Sequence, residues 1–170
     1  VLNPFDQPRA LDPLGLTRAQ AQADPRQATA VARQFDTRKS VAQQQAGVIL
    51  EQGLGEAHTL RLAVHRGARE VRQFLALPVA AQANPLSAGG VVDLDGEFDG
   101  ADARWSWQGA LGDGASEVVL GLETERQRQQ RRGYENFVGN TLGVLGTLRR
   151  DERNDLTQRA AYAQWWWRFA

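Results

Sequence analysis

Regular alternation of apolar and polar residues near the C-terminus is the feature that most constrains the fold of this chain. The apolar positions are Ala161, Ala163, Trp165, Trp167 and Phe169, and the polar positions around them are Gln158, Tyr162, Gln164 and Arg168. Because successive side chains of a β-strand face opposite sides of the sheet, this spacing predicts a strand with one apolar and one polar face.

The same alternation recurs upstream and predicts five antiparallel strands. They cover residues 41–52, 58–68, 101–113, 116–126 and 157–169. Trp105 and Trp107 lie on the apolar stripe of the third strand, and we expect Arg66 and Arg159 near strand ends. An arginine at the middle of a bilayer costs about 2–4 kcal/mol but about 0–1 kcal/mol at the interface. Stripes without charge across their middles therefore suit contact with lipid.

The first two strands are predicted to form a hairpin. Matching their apolar stripes pairs Leu50 with Leu60 and Val48 with Leu62, because residues that pair directly across two antiparallel strands share a face. This register makes residues 53–57 the connecting loop, a length that suits a hairpin containing glycine.

The third and fourth strands are predicted to form a second hairpin. Pairing Leu111 with Val118 closes the chain at Gly114 and Ala115. A two-residue loop that begins with glycine favours a type II′ turn, whose twist matches that of the strands.

Two long connections, residues 69–100 and 127–156, separate these hairpins from each other and from the fifth strand. Short turns that alternate with long loops are typical of outer-membrane barrels, in which the short turns are periplasmic and the long loops extracellular. We therefore expect an all-β, antiparallel, up-and-down fold that forms part of a transmembrane β-barrel. A soluble β-sandwich, with the apolar stripe facing a second sheet, is the alternative.

Residues 1–39 are predicted to be a loop, because they are rich in Pro, Asp, Gln and Arg. Two short helices are candidates within it. Thr17 is a suitable N-cap for a helix over residues 18–23, and Asp24, before Pro25, for one over residues 27–34.

Composition excludes several classes of protein. The 20 basic residues are balanced by 20 acidic ones, so no overall field favours nucleic acid. Cysteine is absent, which removes thiolate chemistry, and no apolar run reaches the length of a transmembrane helix. The chain begins at Val1 without a methionine or a signal peptide, so we expect an excised piece of a longer protein.

No set of residues predicts catalysis or a metal site. His58 and His65 should face opposite sides of one strand, and none of the four serines lies in a G-x-S-x-G motif. The acidic residues Asp93, Asp95, Glu97, Asp99 and Asp102 are spaced like calcium ligands. Phe98 and Arg104, however, stand where an EF-hand needs glycine and glutamate, so we expect a solvated loop. We predict a protein that is not an enzyme and has no cofactor.

Arginines cluster at the top of the fourth strand and near the top of the fifth strand, at the two ends of the connection over residues 127–156. They are Arg126, Arg128, Arg131, Arg132, Arg149, Arg150 and Arg153. One guanidinium group can bind two oxygens of a phosphate or carboxylate at once, so one interpretation is a patch for an anionic ligand or for lipopolysaccharide. A solvated loop, neutralised by Asp151, Glu152 and Asp155, is the other. The candidates for ligand contact are Arg131, Arg132, Tyr134, Arg149 and Arg150.

Several segments resemble the early barrel region of TonB-dependent outer-membrane receptors, the class that includes ferric-siderophore receptors. They are residues 12–17, 35–39, 89–95, 131–136, 143–146, 149–154 and 162–167. The resemblance implies an arc of a 22-stranded barrel in the bacterial outer membrane. Receptors of this class also have a plug and a TonB-binding segment, neither of which is recognisable in this sequence. It also implies import of a ferric siderophore or similar metal chelate, driven by the TonB complex.

Two further expectations follow from this resemblance. An arc has open strand edges and a lipid-facing band, which favour contact with lipid or lipopolysaccharide and self-association. Trp105, Trp107, Trp165, Trp167 and Phe169 should form an aromatic girdle at the membrane interface. The alternative function is a soluble β-rich module in which tryptophans bind a sugar or another ligand.

Overall fold

A computed structural model describes residues 1–168 and is all-β apart from three short helices. The main sheet has six antiparallel strands in the order β1-β2-β3-β4-β5-β8. Within the described residues β1 and β8 each have one neighbour, so the sheet is open and has two edges. None of the helices in residues 1–168 is long and apolar enough to cross a membrane.

The strands of the main sheet are up to 21 residues long. They are β1 (Leu2–Leu11), β2 (Arg38–Leu54), β3 (His58–Phe74), β4 (Val91–Leu111), β5 (Gly114–Tyr134) and β8 (Leu148–Arg168). A small hairpin of β6 (Phe137–Val138) and β7 (Thr141–Leu142) lies between β5 and β8. The helices are α1 (Arg18–Ala23), α2 (Ala30–Gln34) and α3 (Val79–Gln82).

The hairpin of β2 and β3 forms as predicted, but its register is shifted by two residues. Leu50 pairs with Leu62, and the last pair before the turn is Leu54 with His58. The predicted loop of residues 53–57 is therefore wrong, and the turn is residues 55–57, with Gly55 at φ +74°. An even shift keeps every side chain on its predicted face.

The hairpin of β4 and β5 is shifted by four residues from the prediction. Leu111 pairs with Gly114 instead of Val118, and the turn is Gly112-Asp113 instead of Gly114-Ala115. Gly112 has φ +61° and Asp113 is not in the left-handed region, the combination that a type II′ turn requires. The predicted turn chemistry thus applies to a different glycine.

Most strands extend well beyond their predicted limits at one end. The connections predicted over residues 69–100 and 127–156 shrink to residues 75–90 and 135–147. Arg66 and Arg159, expected near strand ends, lie inside β3 and β8. Charged residues occupy both faces of the extensions of β3, β5 and β8, so no apolar stripe marks them. In β4 the acidic residues at positions 93–99 alternate with Leu94, Gly96 and Phe98, in a segment predicted to be a loop. Pairing with the neighbouring strands holds these segments extended.

The prediction that residues 1–39 form a loop is wrong at its beginning. Leu2–Leu11 is an edge strand that pairs with β2, with a register shift between Gln7 and Ala10. Pro4 and Pro8 hide it in the sequence, since proline removes a hydrogen-bond donor and is tolerated mainly at edges and bulges. The fold therefore has six long strands where five were predicted.

Both short helices are present, and one has its predicted cap. Thr17 and Gln20 form a reciprocal capping box at the start of α1. The second helix begins later than predicted, because Thr29 caps it by accepting a 3.0 Å hydrogen bond from the Ala32 amide. Asp24 instead ends α1 and accepts a hydrogen bond from the Arg26 amide in the following turn.

Candidate functional site

The two faces of the main sheet differ in how far their side chains are buried. We call the face that carries Leu50, Leu62 and Leu122 the band face, and the face that carries Gln43 and Gln127 the groove face. Along β2 from position 41 to position 48, groove-face residues are buried or half-buried and band-face residues are exposed. Positions 94 to 102 of β4 alternate in the same way. Over these segments the groove face is the sheltered face. Nearer the turn of β4, Arg104 and Gln108 of the groove face are exposed and Trp105 and Trp107 of the band face are half-buried.

An exposed apolar surface, the apolar band, occupies the band face near the turns. Its apolar members are Val48, Leu50, Leu54, Leu60, Leu62, Val64, Ala101, Ala103, Trp105, Trp107, Val118, Leu120, Leu122, Ala161, Ala163 and Trp165. Val48 is 67% exposed, Leu122 is 63% exposed and Leu50 is 56% exposed. A continuous surface of this kind is far larger than the apolar patches of ordinary monomers.

Four tryptophans lie on the band face toward the end of the sheet that holds the turns, which we call the turn end. Trp165 and Trp167 stack with their ring centroids 5.9 Å apart, and Trp105 stacks on His58 at 5.4 Å. The predicted cluster of Trp105, Trp107, Trp165 and Trp167 is thus on one face, while Phe169 lies outside the described residues.

The groove face is polar and rich in amides. Its glutamines include Gln43, Gln45, Gln73, Gln127, Gln129, Gln158 and Gln164. Several of them line a groove of about 580 Å³ together with Lys39, His65 and Arg69. Nearer the turn end, Arg61 and Asp102 form an ion pair at 3.0 Å. Such a surface offers many hydrogen-bond donors and acceptors to whatever faces it.

The histidines face opposite sides of β3, as predicted. His58 pairs with Trp107 on the band face, and His65 pairs with Gly100 on the groove face, where its ring lies beside Phe98. Among residues 1–168, no group of three or more histidine, aspartate or glutamate side chains is arranged to hold a metal ion.

The acidic run is part of β4 instead of the solvated loop that was predicted. Asp93, Asp95, Glu97 and Asp99 point from the band face above the apolar band, and Asp102 points from the groove face. Carboxylates two positions apart on a strand are about 7 Å apart at the backbone and do not converge on one cation. Two of them instead form ion pairs across strands on the band face, Asp93 with Arg72 at 2.6 Å and Glu97 with Arg66 at 3.6 Å.

The predicted arginine cluster is divided between surfaces. Arg128 and Arg132 lie on the band face opposite Asp155 and Asp151, at 3.7 and 3.9 Å. Arg131 lies on the groove face and forms no ion pair with any described residue.

The remaining candidates for ligand contact lie where strands end. Arg149 pairs with Glu135 at 3.3 Å and donates to the Asn84 carbonyl, while Arg150 pairs with Glu152 at 3.1 Å. Tyr134 is half-buried at the last position of β5. The five candidates thus form no single patch, and their role in ligand contact stays a prediction.

Sequence reasoning missed the contacts that organise the end of the sheet opposite the turns, which we call the loop end. Arg38 lies over the Phe74 ring at 3.5 Å and donates to Asp36 and to the Gly143 carbonyl. These contacts join residues that are as many as 105 positions apart, so no local pattern in the sequence predicts them. They hold the connections that cover the loop end in fixed positions.

No protein-family model matches this chain.

Proposed function

We propose that this chain is a section of the wall of a bacterial outer-membrane β-barrel of the TonB-dependent receptor type. The complete receptor binds a ferric siderophore or similar metal chelate and imports it with energy from the TonB complex, without covalent chemistry. Support for the class of receptor comes from the segments quoted above, and support for the membrane location comes from the polarity of the sheet.

The observation that carries the proposal is that one face of the sheet bears an exposed apolar band toward the turns, whereas the groove on the other face is lined largely by polar side chains. A soluble sheet has the opposite arrangement, because apolar side chains are driven away from water. Val48 and Leu122 are more than half exposed, whereas glutamines line the sheltered groove. A barrel wall with lipid outside and water or protein inside satisfies both faces.

The dimensions of the apolar band fit a bilayer. On β8, Arg159 and Trp167 bound the uncharged stretch and lie eight residues apart. This corresponds to roughly 27 Å along the strand, or roughly 21 Å across the membrane at a tilt of about 40°. Outer-membrane barrels have an apolar band about 25 Å tall with aromatic girdles at the interfaces.

The two ends of the sheet support one orientation. The turns at residues 55–57 and 112–113 are short, while the connections at the loop end reach 26 residues between β1 and β2. Short turns are periplasmic in barrels of this class, so Trp165 and Trp167 would lie at the periplasmic interface. The strand extensions, and the candidates Arg131, Arg132, Tyr134, Arg149 and Arg150, would then lie outside the cell.

The open edges are consistent with a sheet that continues. Among residues 1–168, β1 and β8 each pair with one strand only, and edge strands of this kind can pair with further strands or with a second copy of the chain. In the proposed receptor these neighbours are the other strands of the barrel.

The alternative is a soluble module that binds a sugar, and the parallel stack of Trp165 on Trp167 favours it, since aromatic faces bind sugar rings. Tryptophan fluorescence of the chain in lipid vesicles separates the two functions. For the barrel, we expect strong quenching by brominated lipid and little by aqueous iodide. Strong quenching by iodide, together with a change of emission on adding oligosaccharides, would overturn the barrel in favour of the module.

A second experiment tests the class of receptor. Cells that lack the gene for the full-length protein should lose uptake of at least one ⁵⁵Fe-labelled chelate under iron limitation, and the intact gene should restore it. Unchanged uptake of every chelate class, combined with bromolipid quenching, would retain the barrel and reject iron import.

A further inference from the structure

Two arginines without ion-pair partners lie at the upper limit of the apolar band. Arg126 pairs with Thr157, and Arg159 pairs with Thr124, so both point from the band face of neighbouring strands. Both are exposed, and neither forms an ion pair with any residue in 1–168. Residues placed diagonally across two antiparallel strands have Cα atoms about 7–8 Å apart. Their guanidinium groups can therefore reach one common anion.

The acidic residues nearby compensate the charge of this pair only in part. Glu97 pairs with Arg66, and Asp155 lies 3.7 Å from Arg128 and 3.2 Å from Arg153. Asp99 is opposite Arg126 in the register, but its carboxylate is not within ion-pair distance of a described cation. One unpaired carboxylate thus stands beside two unpaired guanidinium groups. The charge at this position favours an anion.

An apolar hollow of about 620 Å³ begins at Arg159, the diagonal neighbour of Arg126. Arg159 is its only basic lining residue, and its larger aliphatic side chains are Leu62, Val64 and Leu122. Asp102 and Glu123 also contribute to the lining, but their positions in the register belong to the groove face. Alanines at positions 101, 103 and 161 leave the space between them. An apolar hollow with Arg159 in its lining and Arg126 diagonally across from it matches a molecule that has an acyl chain and an anionic head.

We propose that this corner of the band face binds lipid A through one of its phosphate groups and one of its acyl chains. The inference rests on the proposed function, because the loop end of the band must face the outer leaflet. Arg126 and Arg159 each donate hydrogen bonds to the phosphate oxygens, a charge-assisted arrangement that guanidinium geometry favours. The acyl chain fills the hollow over Ala101 and Ala103.

Native mass spectrometry of the full-length protein in detergent, titrated with bisphosphorylated lipid A, tests the site. The variant R126Q/R159Q should bind lipid A at least tenfold more weakly, and A103F, which fills the hollow, should weaken binding several-fold. R104Q is the matched control, since Arg104 also lacks an ion pair among the described residues but lies on the groove face. Its affinity should stay within twofold of the parent.

Three results would overturn the inference: unchanged binding in R126Q/R159Q, an equal loss in R104Q, or phosphatidylglycerol binding as tightly as lipid A. The last result would mean a general preference for anionic lipid. Quenching by brominated lipid is measured on the same variants. If brominated lipid quenches the tryptophan fluorescence of the parent protein but lipid A does not bind, only this site is rejected. If brominated lipid does not quench the fluorescence of the parent protein, the membrane location is rejected as well.

Discussion

The Gln82 side-chain amide donates a 2.7 Å hydrogen bond to Oδ1 of Asn136, and both side chains are buried. Gln82 Oε1 accepts from the amides of Gly90 and Asn136, and Asn136 Nδ2 donates to the carbonyls of Leu75 and Leu77. Two connections, residues 75–90 and 135–147, are thereby held together at the loop end. If these connections are extracellular, this pair sets the shape of the surface that a ligand first meets.

Replacing Asn136 by alanine should open these connections locally. The Leu75 carbonyl and the Gln82 amide each lose a buried partner, and an unsatisfied buried group costs about 1–3 kcal/mol. Hydrogen exchange at the Gly90 amide should become at least tenfold faster in N136A. Asn84 lies in the same connection but is exposed, so N84A should leave this exchange rate nearly unchanged. Equal acceleration in both variants would contradict the assigned role of the pair.

A glycine covered by a ring should not tolerate a side chain. The three atoms nearest to a Cβ built on Gly121 all belong to the Tyr162 ring, which lies over it on the groove face. G121A should destabilise the fold by about 1–3 kcal/mol, as overpacking does, and Y162A in the same chain should recover most of it. Urea titrations in vesicles measure this. A double variant no more stable than G121A would contradict the prediction.

At Gly67, truncating the neighbouring ring should restore less of the stability that an added side chain removes. A Cβ on Gly67 would meet the Phe98 ring and also the Gln44 carbonyl, 2.7 Å away. Because the carbonyl belongs to the backbone, F98A should recover only part of the stability lost in G67A. Full recovery would show that the neighbouring strand shifts easily.

Arginine on the band face should be far more costly than arginine on the groove face. L122R places a charge in the apolar band and should lower the free energy of unfolding from vesicles by about 2–4 kcal/mol. Q164R places the same charge on the groove face and should change it by less than about 1 kcal/mol. Equal effects would indicate that the two faces meet the same solvent.

The ion pairs across strands should differ in strength according to their geometry. Arg72 donates from Nε and Nη2 to Asp93 at 2.9 and 2.6 Å, whereas Arg132 and Asp151 are 3.9 Å apart. Arg72 is half exposed, so we expect a coupling of only about 0.5–1 kcal/mol for its pair and almost none for Arg132 with Asp151. Double-mutant cycles in low and high salt should show the first coupling fall as screening increases.

Alternation alone located five of the six long strands in part and assigned their faces correctly. It failed for Leu2–Leu11, where prolines disguise an edge strand, and for the charged extensions of β3, β4, β5 and β8. In β3, β5 and β8 the charges lie on both faces, so no apolar period marks the extensions. In β4 the alternation is present, but its acidic residues predicted a loop. The helix cap at Thr17 was predictable because its partner Gln20 is three residues away.

What the sequence determined by itself is the side of the sheet on which each residue lies, because a two-residue period survives any even shift of register. The tertiary structure decided the registers, since Leu62 and Leu60 both satisfy the stripe and only the turn at residues 55–57 distinguishes them. It also decided which face is sheltered and which contacts, such as Gln82 with Asn136, join distant connections. These depend on how several strands curve and pack together, which no local pattern encodes.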